Sequence, residues 1–293
     1  MLIQYKKPSH SLSNFVAHFW EKYSPPKQSI AYDTECVLPE NYLNLTFSLG
    51  SSYFRSLEEN GPFTALNTPQ LETLHTGHNF YKHQSDNHIF GIKFLPGGLY
   101  PFVNFDFATL TNVSLDMALV FGAEIHFLAE ELYHLPDFEL RVERVERFLQ
   151  KKLIASRLQK FRFIQAGTQL LATQHADADV AAVAEQLNSN YKSLSRGFNE
   201  VIGISPKHFA QIQRFERALD LLIAKPEWTC TEIGYHLGYY DQAHFIREFK
   251  RFALKTPMAY RESIRPVEKE AQHRDFQHFL SLEHLLHYEV KIY

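Results

Sequence analysis

Phe245-Ile-Arg247-Glu-Phe249, followed by Thr256-Pro257-Met-Ala-Tyr260, has a counterpart earlier in the chain. It is Leu194-Ser-Arg196-Gly-Phe198, followed by Ser205-Pro206-Lys-His-Phe209. Arg247 follows Arg196 at an offset of 51 residues, and the same offset relates Phe249 to Phe198, Pro257 to Pro206 and Tyr260 to Phe209. A short apolar helix pattern and a turn precede each copy. An internal repeat constrains the fold before any single residue does. A helix-turn-helix unit that occurs twice suggests a chain that touches DNA twice.

The intervals around the copies read as helices. Phe161, Ile164, Thr168 and Leu171 form a core-facing stripe over 161–173. Asp177 or Asp179 is placed to cap a helix from Val180 to Leu187. Asn190 caps the next, Tyr191 to Ile202, which Gly203 stops. Pro206 lies in the first turn of a long helix, where its missing N–H costs nothing, and Pro226 follows that helix's end near Ala224. Thr229-Cys-Thr-Glu232 has capping-box spacing ahead of Ile233 to Leu237. Gly238 makes a turn, Asp241 caps a helix through Phe252, and Thr256-Pro257 opens the last helix of the unit.

The first hundred residues have a different period. Leu43-Asn-Leu-Thr-Phe-Ser-Leu49 alternates apolar and polar and stops at Gly50, and Ile89 to Leu95 reads as another strand ended by Pro96-Gly97-Gly98. Pro and Gly at 61–62, 68–69 and 96–98 punctuate several short strands, as in a small barrel or sandwich. From Ser114, Leu115, Ala118, Leu119 and Gly122 recur at helical spacing, and one helix is expected through Phe127, Leu128 and Leu132 to Leu135, before Pro136. Leu140, Val142, Val145, Phe148, Leu149 and Leu153 form a second amphipathic stripe, with Arg141, Glu143, Arg144 and Glu146 on its wet side. The fold class is α+β: a small cupin-like β-barrel plus helices, then an all-α unit of two helix-turn-helix motifs joined by a linker helix. The expected organisation is 1–155 for the β-rich domain with its helical end, 156–264 for the double motif and 265–293 for a tail. In the tail, Phe276 to Leu286 suggest a helix, and Tyr288 to Tyr293 alternate like a strand that docks back on the N-terminal half.

Bulk numbers narrow the class. A length of 293 residues suits two domains, and 45% hydrophobic with 22% charged residues is globular composition. The formal net charge is −3, so any DNA binding rests on local charge. Cys36 and Cys230 form no spaced pair, which argues against a disulfide framework or zinc site. The N-terminus lacks a signal-peptide pattern, and apolar runs such as Met117 to Phe121 are too short for a membrane span. A cytoplasmic protein without membrane contact is expected.

In a helix-turn-helix the second helix enters the major groove, its N-terminal turns toward base edges. Those helices are about 190–202 and 241–252. Phe245 and Phe249, four apart, face inward. Gln242, Ala243, Ile246 and Arg247 then point outward, with Lys250 and Arg251 nearby for phosphates. Arg pairs with guanine edges, Gln with adenine edges, and Ala or Ile meets a thymine methyl. In the first copy Leu194 and Phe198 pack inward and leave Lys192, Ser195 and Arg196 for the groove. Pro206 and Pro257 start helices and carry no chemistry. A linker helix of about 19 residues spans about 28 Å, against about 34 Å for one DNA turn, so both helices can reach successive major grooves on one face. Between Asp241 and Arg265 six positive residues (Arg247, Lys250, Arg251, Lys255, Arg261, Arg265) face three negative ones (Asp241, Glu248, Glu262). The second motif is therefore expected to hold more of the electrostatic grip. Arg196 and Arg247 also have a structural reading, each paired with a nearby carboxylate.

These residues carry a family resemblance. Residues 161–263 resemble the C-terminal DNA-binding region of the AraC/XylS family of bacterial transcription regulators. The resemblance is densest in Ile233-Gly-Tyr-His-Leu-Gly238-Tyr-Tyr-Asp241-Gln-Ala-His-Phe245-Ile-Arg247-Glu-Phe249-Lys250, then Thr256-Pro257 and Tyr260-Arg261. Gly234 stands where the family usually has Ala, and Ala253-Leu254 replaces the frequent Gly before Thr-Pro, which bears on the tightness of that turn. The N-terminal half resembles a sensor-type domain through Leu38-Pro39-Glu40, Leu45 to Gly50 and Phe94 to Phe102, although Glu40 occupies a site where Asp-Gly is more frequent. The resemblance implies a sequence-specific transcription regulator and not an enzyme. Its partners would be double-stranded DNA, RNA polymerase if it activates, a small-molecule effector in the barrel, and a second copy in a homodimer.

Two other readings stay open. One is a cupin-like metal-dependent enzyme domain fused to a DNA-binding unit, drawing on His75-Thr-Gly-His78, His83 and His88. No His-x-His pair or spaced carboxylate completes that site, so no metal or other cofactor is expected. The other is an adaptor whose helical half makes protein contacts only. Pro96-Gly97-Gly98 lacks a following Gly-Lys-Ser/Thr and reads as a turn. Phe47, Tyr53, Phe54, Phe90, Phe94, Tyr100 and Phe102 could line a ligand pocket or simply fill a core.

Overall fold

Residues 2–24, 33–66, 69–83, 87–174, 179–268 and 289–290 are described in a computed structural model of the chain. The alternation around Leu43 becomes β4 (Leu43–Ser48), and the run around Ile89 becomes β9 (Asn87–Phe94). The other strands are β1 (Leu2–Lys6), β2 (Val16–Ser24), β3 (Asp33–Val37), β5 (Tyr53–Ser56), β6 (Thr64–Leu66), β7 (Gln70–Glu72), β8 (Asn79–His83), β10 (Ser114–Asp116) and β11 (Glu289–Val290). They form a seven-stranded sheet, β10-β7-β4-β9-β2-β1-β11, and a four-stranded sheet, β3-β8-β5-β6. Two sheets, rather than one closed barrel, make up this β-rich unit, an arrangement compatible with the cupin-like class. β9 sits between β4 and β2 and packs Phe90, Ile92 and Phe94 into the core. Gly91 pairs with Trp20 across β2, and a Cβ there would lie 2.1 Å from the indole, so only glycine lets that ring lie flat on the strand.

The segment from Ser114 departs from the single expected helix. Ser114–Asp116 pairs with β7 as a strand, and α1 (Ala118–Phe121) and α2 (Glu124–His134) are separated by Gly122 at φ +65°. A left-handed residue cannot continue a helix, and the sequence period does not show that break. Leu119, assigned to the core stripe, is 77% exposed. α3 (Phe138–Lys152) also corrects the reading: Leu140 and Leu153 are exposed, and Arg141, placed on the wet side, is buried. Its guanidinium donates to both Glu21 carboxylate oxygens at 3.1 Å and to the carbonyls of Leu132 and Leu135, which ties α3 to β2. Tyr53, Phe47, Phe90, Phe94, Tyr100 and Phe102 are core residues, while Phe54 is half-buried.

The helical half begins with α4 (Leu158–Ala172), then α5 (Val180–Gln186), α6 (Tyr191–Val201), α7 (Pro206–Ala224), α8 (Cys230–His236), α9 (Gln242–Ala253) and α10 (Pro257–Glu268). The caps obey the chemistry of the sequence. Asp179, Asn190, Ser205 and Asp241 each accept from a backbone N–H three residues on, and Thr229 with Glu232 forms a full capping box. Asp177 and the tail helix lie outside the described residues, while β11 pairs parallel with β1 through Leu2–Glu289 and Ile3–Val290.

One hydrophobic cluster runs from Leu12 through the β-rich part to Tyr260. At the seam Phe15 packs on Phe161, with ring centroids 5.1 Å apart. Gly97, at φ +72°, lies so close to Val201 that a Cβ would meet its Cγ1 at 2.8 Å. The Thr111 hydroxyl donates to the Gly203 carbonyl at 2.8 Å, and the Asn41 side-chain amide donates to the Phe209 carbonyl at 3.0 Å.

Candidate nucleic-acid interface

The two motifs are α5–α6 and α8–α9. Each turn needs one left-handed residue, Asn188 (φ +50°) in the first and Gly238 (φ +76°) in the second. Asn is the non-glycine residue that tolerates this conformation best. Leu194 and Phe198 of α6, and Phe245 and Phe249 of α9, are buried at 0–1% exposure and hold the helices on their supports. Pro206 and Pro257 are buried in the first turns of α7 and α10.

On α9, Gln242, Ala243, Arg247, Lys250 and Arg251 are exposed. Ile246 is only half-exposed and packs against the core, so it offers less surface than the outward face implied. On α6, Lys192 and Arg196 are exposed and Ser195 is half-buried. Arg196, with 75% of its side chain exposed, lies 3.9 Å from Glu200 one turn on, and Lys160 reaches the same carboxylate. Such a pair is weak in water and yields readily to a phosphate or base edge. His244 packs edge-on against Tyr239 at 5.3 Å.

The charge tally near α9 changes once burial is known. Arg261 is buried and donates to the carbonyls of Leu222, Pro226 and Trp228, which closes the C-terminal end of α7. Glu248 is buried against Arg214. Among the described side chains the exposed cations there are Arg247, Lys250, Arg251 and Lys255, against exposed Asp241 and Glu262. Asp241 already spends its carboxylate on the N-terminal cap. The local field therefore stays positive without Arg261.

Sequence reasoning missed three exposed tyrosines beside the recognition helices: Tyr191, Tyr235 and Tyr240, the last 89% exposed. Their signal was present, since an aromatic off the apolar stripe and next to a cap has no core to fill. It also missed the Arg214–Glu248–Tyr239 group, whose members are 34 and 9 residues apart.

The β-rich half holds a second polar cluster. Arg55 donates to Asn79 at 3.0 Å and lies 3.6 Å from Glu72, which also faces His75 and Ser114 and accepts from Tyr81 at 2.9 Å. Burial holds the His75 imidazole below its ordinary range. His78 packs edge-on against Phe80, and His88 pairs with Glu21, so these histidines make separate contacts. Among the described residues no group of three or more His, Cys, Asp or Glu is arranged to hold a metal, and no helix is long and apolar enough to cross a membrane.

Residues 183–263, from the middle of α5 into α10, match the family model of a helix-turn-helix domain. This stretch forms an AraC-type helix-turn-helix domain. Residues 4–116, ahead of the AraC-type domain, match the domain of unknown function DUF6597. An uncharacterized HTH-type transcriptional regulator of Staphylococcus aureus (strain MSSA476) is 33% identical over 103 residues, covering 34% of this chain and 14% of that protein. The chain thus spans about one seventh of the length of that curated relative. The C-terminal domain of AraT, a response regulator from Geobacillus stearothermophilus, is similar at 30% identity, covering 34% of this chain and 84% of that one, with a TM-score of 0.33. ToxT from Vibrio cholerae is similar at 14% identity over 83% of this chain and 98% of its own, with a TM-score of 0.46.

Proposed function

We propose that this chain is a sequence-specific DNA-binding transcription regulator in which α6 and α9 read successive major grooves. The observation that carries the reading is the pair of capped, exposed recognition helices on either side of α7, whose 19 residues span about 28 Å. Lys192, Ser195, Arg196, Gln242, Ala243 and Arg247 read bases, and Lys250 and Arg251 hold phosphates. Residues 1–155 act as the sensing or dimerising domain, 156–264 as the DNA-binding domain and 265–293 as a tail. The regulator works in the cytoplasm, has no enzymatic activity of its own and contacts RNA polymerase where it activates.

Selection of bound duplexes from a random DNA pool by the full chain tests this. The expected outcome is a non-palindromic site with two clusters of preferred bases about one helical turn apart, and affinity that falls steeply with salt. Binding without preference, or none at about 50 mM salt, would overturn it.

A further inference from the structure

The two motifs share more than their recognition helices. At the offset of 51, Phe161, Ile164, Thr168 and Leu171 of α4 correspond to Ile212, Phe215, Leu219 and Leu222 of α7, and all eight are buried. The linker helix therefore supports α9 as α4 supports α6. The same register sets Arg214 in the place of Phe163, and Glu248 in the place of Gly197. In the first unit that contact is close and apolar: a Cβ on Gly197 would lie 2.6 Å from Ile164 Cδ1 and 4.0 Å from Phe163 Cε1.

In the second unit it is an ion pair. Arg214 Nε and Nη2 donate to Glu248 Oε1 at 3.1 and 2.8 Å, and Nη2 also donates to Oε2 at 3.0 Å. The Tyr239 hydroxyl donates to Oε1 at 2.7 Å, and the guanidinium stacks 4.1 Å over the Tyr239 ring. Both charged side chains are under 10% exposed. A buried pair of this kind adds little net stability over an apolar contact, and the first unit folds on the apolar version. What the pair adds is direction. A rotation of a helix by about 20° about its axis carries a group at its outer radius of about 5–6 Å about 2 Å sideways, enough to break a hydrogen bond of about 3 Å, whereas rings in contact slide.

We infer that Arg214 is the positioning residue of the second recognition helix: through Glu248 and Tyr239 it fixes the rotation of α9, and so sets base discrimination by Gln242 and Arg247 without touching DNA. This rests on the DNA-binding reading above. By contrast α6, held by apolar contacts, keeps its discrimination when the ion pair is removed.

The test uses the full chain with Arg214→Met, Tyr239→Phe and Glu248→Met combined, which removes every member and leaves no buried charge or hydroxyl unpaired. Selected sites and competition binding are compared for the two halves of the target. Discrimination at bases under α9 is expected to fall about ten-fold, the order of one good bidentate contact, while that under α6 and the melting temperature hold. Arg214→Lys, with charge but no fork, falls between. Should the triple variant not fold, Glu248→Gln is measured in its place. Unchanged discrimination under α9, or equal loss under both helices, overturns the inference. Residual dipolar couplings of α9 amides relative to α7, recorded without DNA, separate this from failure of the DNA reading. A changed α9 orientation in the variant supports the inference even if no duplex is selected, and identical couplings overturn it.

Discussion

Substitution of Gly234 by Ala should stabilise the protein by about 1 kcal/mol. Gly234 is interior to α8 and buried beneath Phe245. Its φ is not positive, so no backbone reason requires glycine. Glycine in a helix interior costs about 0.8–1 kcal/mol relative to alanine, mostly through the freedom it has when unfolded. The new methyl would meet Phe245 Cβ, Cγ and Cδ1 at 3.4, 3.6 and 3.7 Å, which is contact without overlap. The first motif carries Ala184 at the equivalent place, shifted by one because its turn is a residue shorter. Urea unfolding should show a higher midpoint with an unchanged slope, and the melting temperature should rise by about 2–4 °C for a chain of this size. DNA affinity should not change. A lower midpoint would mean that α8 and α9 are already packed to their limit, and the Cβ argument would fail.

The same substitution at Gly91 should have the opposite sign, with a loss of about 2 kcal/mol or more, because the methyl would overlap the Trp20 indole; the unfolding midpoint checks it. Glu216 is pushed up to about 8 by burial and then by Glu40. An acid with a raised native pKa destabilises as pH climbs from its unfolded pKa, near about 4.3, to the native one. Glu216→Gln should therefore be more stable than the parent by over about 1 kcal/mol at about pH 8, with little difference at about pH 4; a gap that does not grow with pH would refute this. Arg247→Ala should cost about 1–3 kcal/mol of binding and relax preference at one base pair, whereas uniform loss across sequences would make Arg247 a phosphate contact. Glu200→Gln removes an anion beside the exposed face of α6 and frees Arg196, so DNA affinity should rise about two-fold or more at low salt; titrations at two salt concentrations would show it, and weaker binding would count against it.

Much of the helical half was legible because its signals are local. A capping box, four single-residue caps and a Phe–Phe spacing of four each lie within one or two turns of sequence. The exposed face of α9 could be read from those spacings, apart from Ile246. What escaped reading depends on partners far along the chain. Arg141 looked solvated because Glu21, 120 residues away, is invisible to helical periodicity. Glu248 and Arg261 entered the charge count as surface groups because Arg214 and the end of α7 come to them only in the fold. The strand at Ser114–Asp116 reads as helix in the sequence because three residues are too few to show a period of two. The expected turn trouble at Ala253-Leu254 has a local answer: Leu254 itself takes the left-handed conformation, φ +59°.

The seam at Gly97, Val201 and Gly203 bears on how this protein can be re-engineered. Swapping N-terminal halves between similar chains treats each chain as beads on a string, with a cut anywhere near residue 156. Here the cut would pass through a shared core. A transplanted C-terminal half would carry Phe161, Val201 and Ile202 bare of the Phe15 and Gly97 surfaces that cover them now. Chimeras should therefore keep the first repeat with its own N-terminal half, and α7 with the α9 that packs on it through Phe215–Phe249 and Arg214–Glu248.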